Sequence, residues 1–193
     1  MKKVRLFAIK TGRNLGLALC CATLVQALPS WSALDEVSPT SVVQDYCKLD
    51  QAGARLSSQD PNNQKIFALV SWLEEPGWDS VVVIKSCEIF PSKWGQPTSR
   101  VALRYVLLGE MTGTNITAYR PHDEFVTFVL DKSGDTWKIK RPLIPPHISV
   151  ETAIAALNSL LKDEKDPAQI KSLKAGISVL MQWQRAGASS KEP

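Results

Sequence analysis

The chain has 193 residues, 44% of them hydrophobic and 22% charged, which suits one globular domain and excludes a fibrous or low-complexity protein. Its formal net charge of +4 comes from 23 Lys and Arg against 19 Asp and Glu, but five of the basic residues and none of the acidic ones lie before residue 33. The rest of the chain carries 18 basic and 19 acidic residues, so its charge does not indicate nucleic acid or an anionic membrane as a partner.

The N-terminal segment has the pattern of a secretory signal peptide. Five basic residues at positions 2–13 precede an uncharged apolar run at 15–28. This run of 14 residues is shorter than the ~20 that a membrane-spanning helix needs, and small or polar residues follow it. We therefore predict that residues 1–32 are a signal peptide, cleaved after Ala27 or after Ser32.

Two other interpretations of this segment stay open. A lipoprotein would carry its lipid on Cys20 or Cys21, although Leu19 and Cys20 are unfavourable residues before the cleaved bond. An uncleaved anchor is the second alternative. The favoured interpretation predicts a periplasmic or secreted protein with no membrane span after cleavage.

Cysteine usage follows the same division of the chain. Cleavage removes Cys20 and Cys21, and only Cys47 and Cys87 remain. Two cysteines in an oxidising compartment predict one disulfide, and two separate buried thiols are the alternative. A disulfide between Cys47 and Cys87 would close a loop of about 40 residues, which stabilises a fold by roughly 4 kcal/mol.

The first helix is predicted from about Ser38 or Thr40 to Ser57, with Pro39 at its entrance. On a helical wheel with 100° per residue, one face of this helix contains Val42, Val43, Tyr46, Leu49, Asp50, Gly53, Ala54 and Leu56. The opposite side contains Gln44, Lys48, Gln51 and Arg55. The carboxylate of Asp50 therefore lies within an apolar face, one turn from Tyr46, and Cys47 lies at the edge of that face.

A second helix is predicted from Asn63 to Leu73, and the run Glu74–Gly77 then gives a stop and turn signal. Alternating β-branched and apolar residues next predict four strands: Ser80–Phe90, Arg100–Leu108, Glu124–Leu130 and Thr136–Lys140. Such alternation is typical of an antiparallel sheet with one face packed on helices.

Two more helices are predicted at the C-terminal end. The first runs from Val150 to Leu161 with Ser149 as its N-cap, and the second runs from Pro167 to about Gln184. We expect one domain over residues 33–162 and a C-terminal helix within 163–184 that packs on it. A partner surface is the alternative role for that helix, and residues 185–193 are expected to be disordered.

The element order and one local motif resemble a known superfamily. Two helices precede strands that end in Thr136-Trp137-Lys138-Ile139, and the loop before this run has the form Asp-x-x-Gly-Asp at residues 131–135. Over residues 38–142 this pattern resembles the nuclear transport factor 2-like (SnoaL-like, ketosteroid isomerase-like) superfamily, as an exported bacterial member. The resemblance implies an α+β fold with N-terminal helices packed on a curved, cone-like antiparallel sheet and additional C-terminal helices.

The resemblance also implies where a site would be. Tyr46 and Asp50 would face a pocket inside the cone, and Tyr105 would face it from a strand. Enzymes of the superfamily perform acid–base chemistry there with Asp, Tyr, His or Arg, so Asp50 is the candidate base and the tyrosines are candidate donors. The alternative is structural: Asp50 accepts hydrogen bonds from a strand, a tryptophan or an arginine and holds helix to sheet.

These residues favour a non-enzymatic binding or accessory role. The histidine arrangement of the superfamily's dehydratases is missing, because His122 and His147 lie beside prolines in predicted loops. We expect a small ligand in the pocket or a protein of the cell envelope as partner, and neither a metal nor a cofactor. The resemblance further implies a homodimer formed through the outer face of the sheet, and the alternative is that the last helix covers that face. A small-molecule lyase, isomerase or hydrolase is the alternative function.

Overall fold

The computed structural model describes residues 38–90 and 99–189, and all of them belong to one compact unit. The predicted signal peptide, the linker at 91–98 and the last four residues lie outside the described residues. The described helices are α1 (Pro39–Gln51), α2 (Asn63–Ala68), α3 (Val150–Asp163) and α4 (Pro167–Ser189). The described strands are β1 (Val81–Phe90), β2 (Arg100–Thr112), β3 (Asn115–Ser133), β4 (Thr136–Arg141) and β5 (His147–Ser149).

The five strands form one strongly curled sheet in the order β4-β3-β2-β1-β5. Neighbours from β4 to β1 are antiparallel, whereas β5 runs parallel to β1. The predicted α+β class is therefore confirmed, but the sheet is mixed rather than purely antiparallel. The difference arises because the chain leaves β4 at one edge of the sheet and returns at the other edge as β5.

Helix α1 begins as predicted and ends six residues early. Ser38 caps it in a reciprocal pair of hydrogen bonds with Ser41. At the other end Gly53 has φ +85° and donates its amide to the carbonyl of Asp50 at 2.9 Å. The chain therefore turns off the helix axis, and Arg55 is buried, although helical spacing predicted it on the outer side.

Helix α2 is also shorter than predicted, because the chain after it joins the sheet. Val70 forms a parallel bridge with Ile139 of β4. The amide of Ile139 donates to the carbonyl of Leu69 at 2.8 Å, and the amide of Ser71 donates to the carbonyl of Ile139 at 2.9 Å. Residues 69–71 thereby cover part of the outer edge of β4.

Two separate hydrophobic clusters lie against the sheet. The first surrounds α1 and contains Val42, Val43, Tyr46, Cys47, Ala54, Ile66, Val70, Ile84, Val101, Leu103, Tyr105, Leu107, Val126, Phe128, Leu130 and Ile139. The second lies under α3 and α4 and contains Val83, Met111, Ile148, Val150, Ala153, Leu157, Leu173 and Leu180. Val83 and Ile84 are consecutive residues of β1, so this strand contributes to both clusters.

A disulfide joins Cys47 of α1 to Cys87 of β1, with 6.4 Å between their Cα atoms. The predicted bond is therefore present, and it fastens the central helix to the sheet. In the part of the chain described by the structure, no helix is long and apolar enough to cross a membrane.

The C-terminal helices complete the second cluster. Ser149 caps α3 as predicted, since its hydroxyl accepts from the Thr152 amide at 3.1 Å. Leu173 and Leu180 of α4 are buried beside Leu157 of α3. Helix α4 continues through Ser189, past the residue at which the sequence pattern placed its end.

Candidate functional site

Four side chains form a buried polar cluster inside the curl of the sheet: Tyr46, Asp50, Arg55 and Glu75. We call it the Arg55 cluster. The Arg55 guanidinium donates to the Tyr46 hydroxyl at 2.7 Å and to the backbone carbonyl of Ile144 at 2.7 Å. Its Nε and Nη2 donate to the two Glu75 carboxylate oxygens at 2.9 and 2.6 Å. The cation therefore links α1, the chain after α2 and the segment before β5.

Asp50 is the second charged group of the cluster and is only 1% exposed. Its Oδ2 accepts from the backbone amide of His147 at 3.1 Å and lies 3.6 Å from a guanidinium nitrogen of Arg55. Its Oδ1 has no hydrogen-bond partner among the described residues. Asp50 thus connects α1 to β5 through the His147 amide.

Glu75 occupies the outer end of the cluster. Besides Arg55, the indole nitrogens of Trp72 and Trp78 donate to it at 3.1 and 3.0 Å. The Arg55 guanidinium also lies over the rings of Trp78 and Tyr46, 6.0 and 5.8 Å from their centroids. Glu75 is therefore the point at which the loop after α2 is fixed to the core.

The pKa values follow from this arrangement. Burial raises the pKa of Asp50 to about 7, although Arg55 and the His147 amide act in the opposite direction. Partial burial alone would raise the pKa of Glu75, but the hydrogen bonds from Arg55, Trp78 and Trp72 outweigh it and lower that pKa. Burial raises the pKa of Tyr46 well above its usual value.

Tyr105 and His147 complete the interior around Asp50. Their rings are stacked with centroids 4.3 Å apart. His147 Nδ1 lies 2.8 Å from the Pro145 carbonyl, and because a carbonyl can only accept, this nitrogen carries the proton. Burial lowers the pKa of His147 to about 4, so the ring is neutral near pH 7. The Tyr105 hydroxyl has no hydrogen-bond partner among the described residues.

The three residues proposed from the sequence therefore lie in one place. Tyr46 and Asp50 come from α1 and Tyr105 from β2, and each is at most 1% exposed. Tyr46 is bound by Arg55, while Asp50 Oδ1 and the Tyr105 hydroxyl are unpartnered. Chemically the site can hold one proton on Asp50 and offer one hydroxyl from Tyr105. A substrate would reach these groups only if the packing around them opened.

A shallow groove on the surface is separate from this buried cluster. It has a volume of about 310 Å³ and is lined by Asp45, Lys48, Leu49, Lys65 and Leu69, from α1 and the α2 region. Lys48 pairs with Asp45 at 3.3 Å in solvent, and Lys65 donates to Asn62 at 3.0 Å. Across the described residues no three His, Cys, Asp or Glu side chains are grouped so that they could hold a metal ion.

Sequence reasoning did not find Arg55, Glu75 or His147. A continuous helix through Gly53 would put Arg55 on the outer side, but the chain turns at this glycine. His147 follows Pro142, Pro145 and Pro146, which predict a loop, but it begins strand β5. The Gly at 53 was the available signal, since glycine is the usual residue just past a helix end.

Comparisons with known proteins found no matching family model, no matching curated protein and no matching solved structure. Function must therefore be inferred from the chain's own geometry.

Proposed function

We propose that this chain is an exported, non-enzymatic binding or accessory domain that recognises a protein of the cell envelope through its surface. The N-terminal segment supports export, because basic residues precede an apolar run that small residues follow. The Cys47–Cys87 disulfide is compatible with an oxidising compartment. The curled sheet around α1 is loosely compatible with a nuclear transport factor 2-like, cone-shaped fold, and kinship with that superfamily is part of the proposal.

One observation carries the non-enzymatic assignment: the buried charges are engaged in holding elements together. Arg55 binds Tyr46, Glu75 and the Ile144 carbonyl, and Asp50 binds the His147 amide. A general base has to come within hydrogen-bond distance of a substrate proton. Both tyrosines and Asp50 are closed off from solvent, so the interior favours a scaffold over a reaction centre.

Photo-crosslinking in the producing cell tests this function. Crosslinking residues placed singly at exposed positions of the secreted chain should capture a discrete envelope protein from at least one of them. Cell fractionation and N-terminal sequencing should show export and a first residue of Leu28 or Ala33. A cytoplasmic, uncleaved protein that gives no adduct from any position would contradict the proposal.

A small-molecule lyase, isomerase or hydrolase is the second candidate, because Asp50 and Tyr105 retain unpartnered oxygens. In that case Asp50, with a pKa of about 7, would take a substrate proton and Tyr105 would donate to the developing oxyanion. Asp50→Asn should then abolish turnover of a small carbonyl substrate while the domain stays folded. Loss of folding in that variant would show that Asp50 is structural. A small apolar ligand in the cone remains a variant of the binding role, and a thermal-shift screen tests it.

We propose separately that two copies of this chain form a homodimer. The resemblance suggests this assembly, and one feature of the surface favours it. Phe90 and Phe125 lie on the outer face of the sheet with ring centroids 4.9 Å apart, and Phe125 is 54% exposed. Exposed aromatic pairs are common at interfaces. Light scattering should give the mass of a homodimer, and Phe125→Lys should give a monomer, while Ser159→Lys on the exposed side of α3 should not.

A further inference from the structure

The loop of residues 71–78, which we call the clamped loop, is fixed at both ends. At its start the Ser71 amide donates to the Ile139 carbonyl on the sheet edge at 2.9 Å. Near its end Glu75 accepts four hydrogen bonds, two from Arg55 and one each from Trp72 and Trp78. Only residues 72–74 lie between these attachments, so the backbone of this stretch is held in one arrangement.

The clamped loop presents an apolar side chain to solvent. Leu73 is 92% exposed, and the next most exposed large hydrophobic of the described residues, Leu160, is 57% exposed. Other apolar side chains belong to segments that the Arg55 cluster holds. Trp72 and Trp78 are half-buried. Leu143 is exposed and precedes Ile144, whose carbonyl accepts from Arg55. A single exposed leucine is ordinary on a surface. An exposed leucine on a backbone fixed by a buried ion pair is preorganised for contact.

Charge around the clamped loop restricts the partner. Glu74 within the clamped loop and Asp79 directly after it are exposed carboxylates, residues 71–78 contain no basic residue, and Arg141 is the exposed base nearest to Leu143 in sequence. Glu75 is neutralised by Arg55 and adds no net charge. The acidic excess disfavours an anionic lipid surface and favours a protein whose pocket is apolar within and lined with lysine or arginine at its rim.

We propose that the clamped loop is the docking surface of this domain and that Leu73 inserts into an apolar pocket, with a basic rim, on a partner protein. The inference rests on the proposed function and names its surface and partner class. The Arg55 cluster then serves recognition indirectly. It keeps residues 72–74 ordered before contact, so less conformational freedom is lost on binding.

The test begins with p-benzoylphenylalanine placed at position 73 of the full chain and, as a matched control, at position 160 on α3. Irradiation of producing cells should give one discrete adduct from position 73 and none from position 160. The captured protein is then identified by mass spectrometry, purified and titrated with the wild-type domain. Leu73→Glu should weaken binding at least about tenfold, as for a central interface residue, while Leu160→Glu leaves it unchanged. Glu74→Lys should weaken binding most at low salt.

The remaining outcomes overturn one proposal or the other. Adducts from position 125 or 160 but none from 73 would refute the clamped loop and leave the accessory function standing. An adduct from 73 whose purified partner binds Leu73→Glu as tightly as the wild type would also refute the loop. No adduct from any surface position would refute the accessory function itself.

Discussion

The two hydrophobic clusters of this domain share a sheet but are built differently. The cluster around α1 contains a disulfide and borders the buried charges of Asp50 and Arg55. The cluster under α3 and α4 contains only apolar side chains. Beside the first cluster, charged and polar side chains bind one another in a fixed geometry. The stability of the second cluster depends on the apolar area that it buries and on its packing. Such cores respond differently to substitution.

This difference indicates where the fold is specific. An apolar cluster tolerates similar side chains of equal volume, but a buried guanidinium requires acceptors at fixed positions. Arg55 finds those acceptors on three distant segments and so determines how they meet. We therefore expect changes in the first cluster to be strongly coupled and changes in the second to be nearly independent.

The largest expected effect is that of Arg55→Met. Removing the cation leaves two carboxylates without their partner, and breaking a buried ion pair typically costs about 3–5 kcal/mol of unfolding free energy. Adding Asp50→Asn should recover part of this loss. The matched variant Leu157→Ala in the second cluster should cost about 2–5 kcal/mol, and Asp50→Asn should not change that cost. Urea unfolding of the three single variants and the two double variants measures these costs, and simple additivity of Arg55→Met with Asp50→Asn would contradict the coupling.

Removal of the disulfide should cost nearly as much. The two cysteines are 40 residues apart, and closure of such a loop contributes roughly 4 kcal/mol. Reduction of the secreted protein should lower its melting temperature, and Cys47→Ala with Cys87→Ala should reproduce the shift. Mass spectrometry without reductant should show a mass two hydrogens below that of the dithiol. Free thiols at both positions would contradict the bond.

The pH dependence of stability should separate Asp50 and His147, two buried titratable groups beside the first cluster. Burial raises the pKa of Asp50 from 3.8 to about 7, so its contribution is fully present below about pH 4 and is lost as pH rises through 7. Burial lowers the pKa of His147 from 6.5 to about 4, so its contribution is full above about pH 6.5 and is lost as pH falls through 4. Between about pH 4 and 6.5, Asp50 therefore makes the unfolding free energy fall with rising pH, whereas His147 makes it rise.

Substituting one of these two groups should reveal the pH dependence that the other one causes. In Asp50→Asn the unfolding free energy should rise between pH 4.5 and 6.5, and in His147→Gln it should fall, at up to about 1.4 kcal/mol per pH unit. The wild type and Leu157→Ala should share a shallow dependence. Urea titrations at three pH values check this. Equal slopes in the wild type and Asp50→Asn would show that the Asp50 pKa is not raised.

The smallest effects should come from two matched tyrosines. Tyr46→Phe removes an acceptor of the Arg55 guanidinium and should cost about 1.5–3 kcal/mol, as expected for a hydrogen bond to a charged group. Tyr105→Phe removes a buried hydroxyl that has no partner among the described residues, and it should be neutral or slightly stabilising. Thermal unfolding of both variants tests this contrast. A large loss in Tyr105→Phe would show that its hydroxyl is bound.

Local signals in the sequence predicted much of the fold. Pro39 and Ser38 gave the start of α1, Ser149 gave the cap of α3, and Gly134, with φ +59°, lies in the predicted turn between β3 and β4. Each of these features depends on a few neighbouring residues. The helices and strands followed from the spacing of apolar residues, and the disulfide followed from the two cysteines that remain after the predicted signal peptide.

Features that depend on distant contacts were missed. Strand β5 has three residues and no alternation of its own, and it forms because β1 offers an edge. The first half of β3 lies outside the predicted strand Glu124–Leu130, because Pro121 and charged residues interrupt its apolar pattern. The site was half predicted: Asp50, Tyr46 and Tyr105 come together, but Arg55, the cation that contacts Tyr46 and Asp50, lies beyond a glycine turn.

The long reach of the Arg55 cluster has a consequence for the order of folding. The Asp50 carboxylate and the His147 amide are 97 residues apart, and Arg55 and the Ile144 carbonyl are 89 apart. Such contacts form late, because large loops must close first. A chain that ends before residue 143 would keep Glu75 but leave Asp50 and Arg55 without two of their partners. Asp50 and Arg55 therefore obtain all of their hydrogen-bond partners only after residues 144–147 have been synthesised.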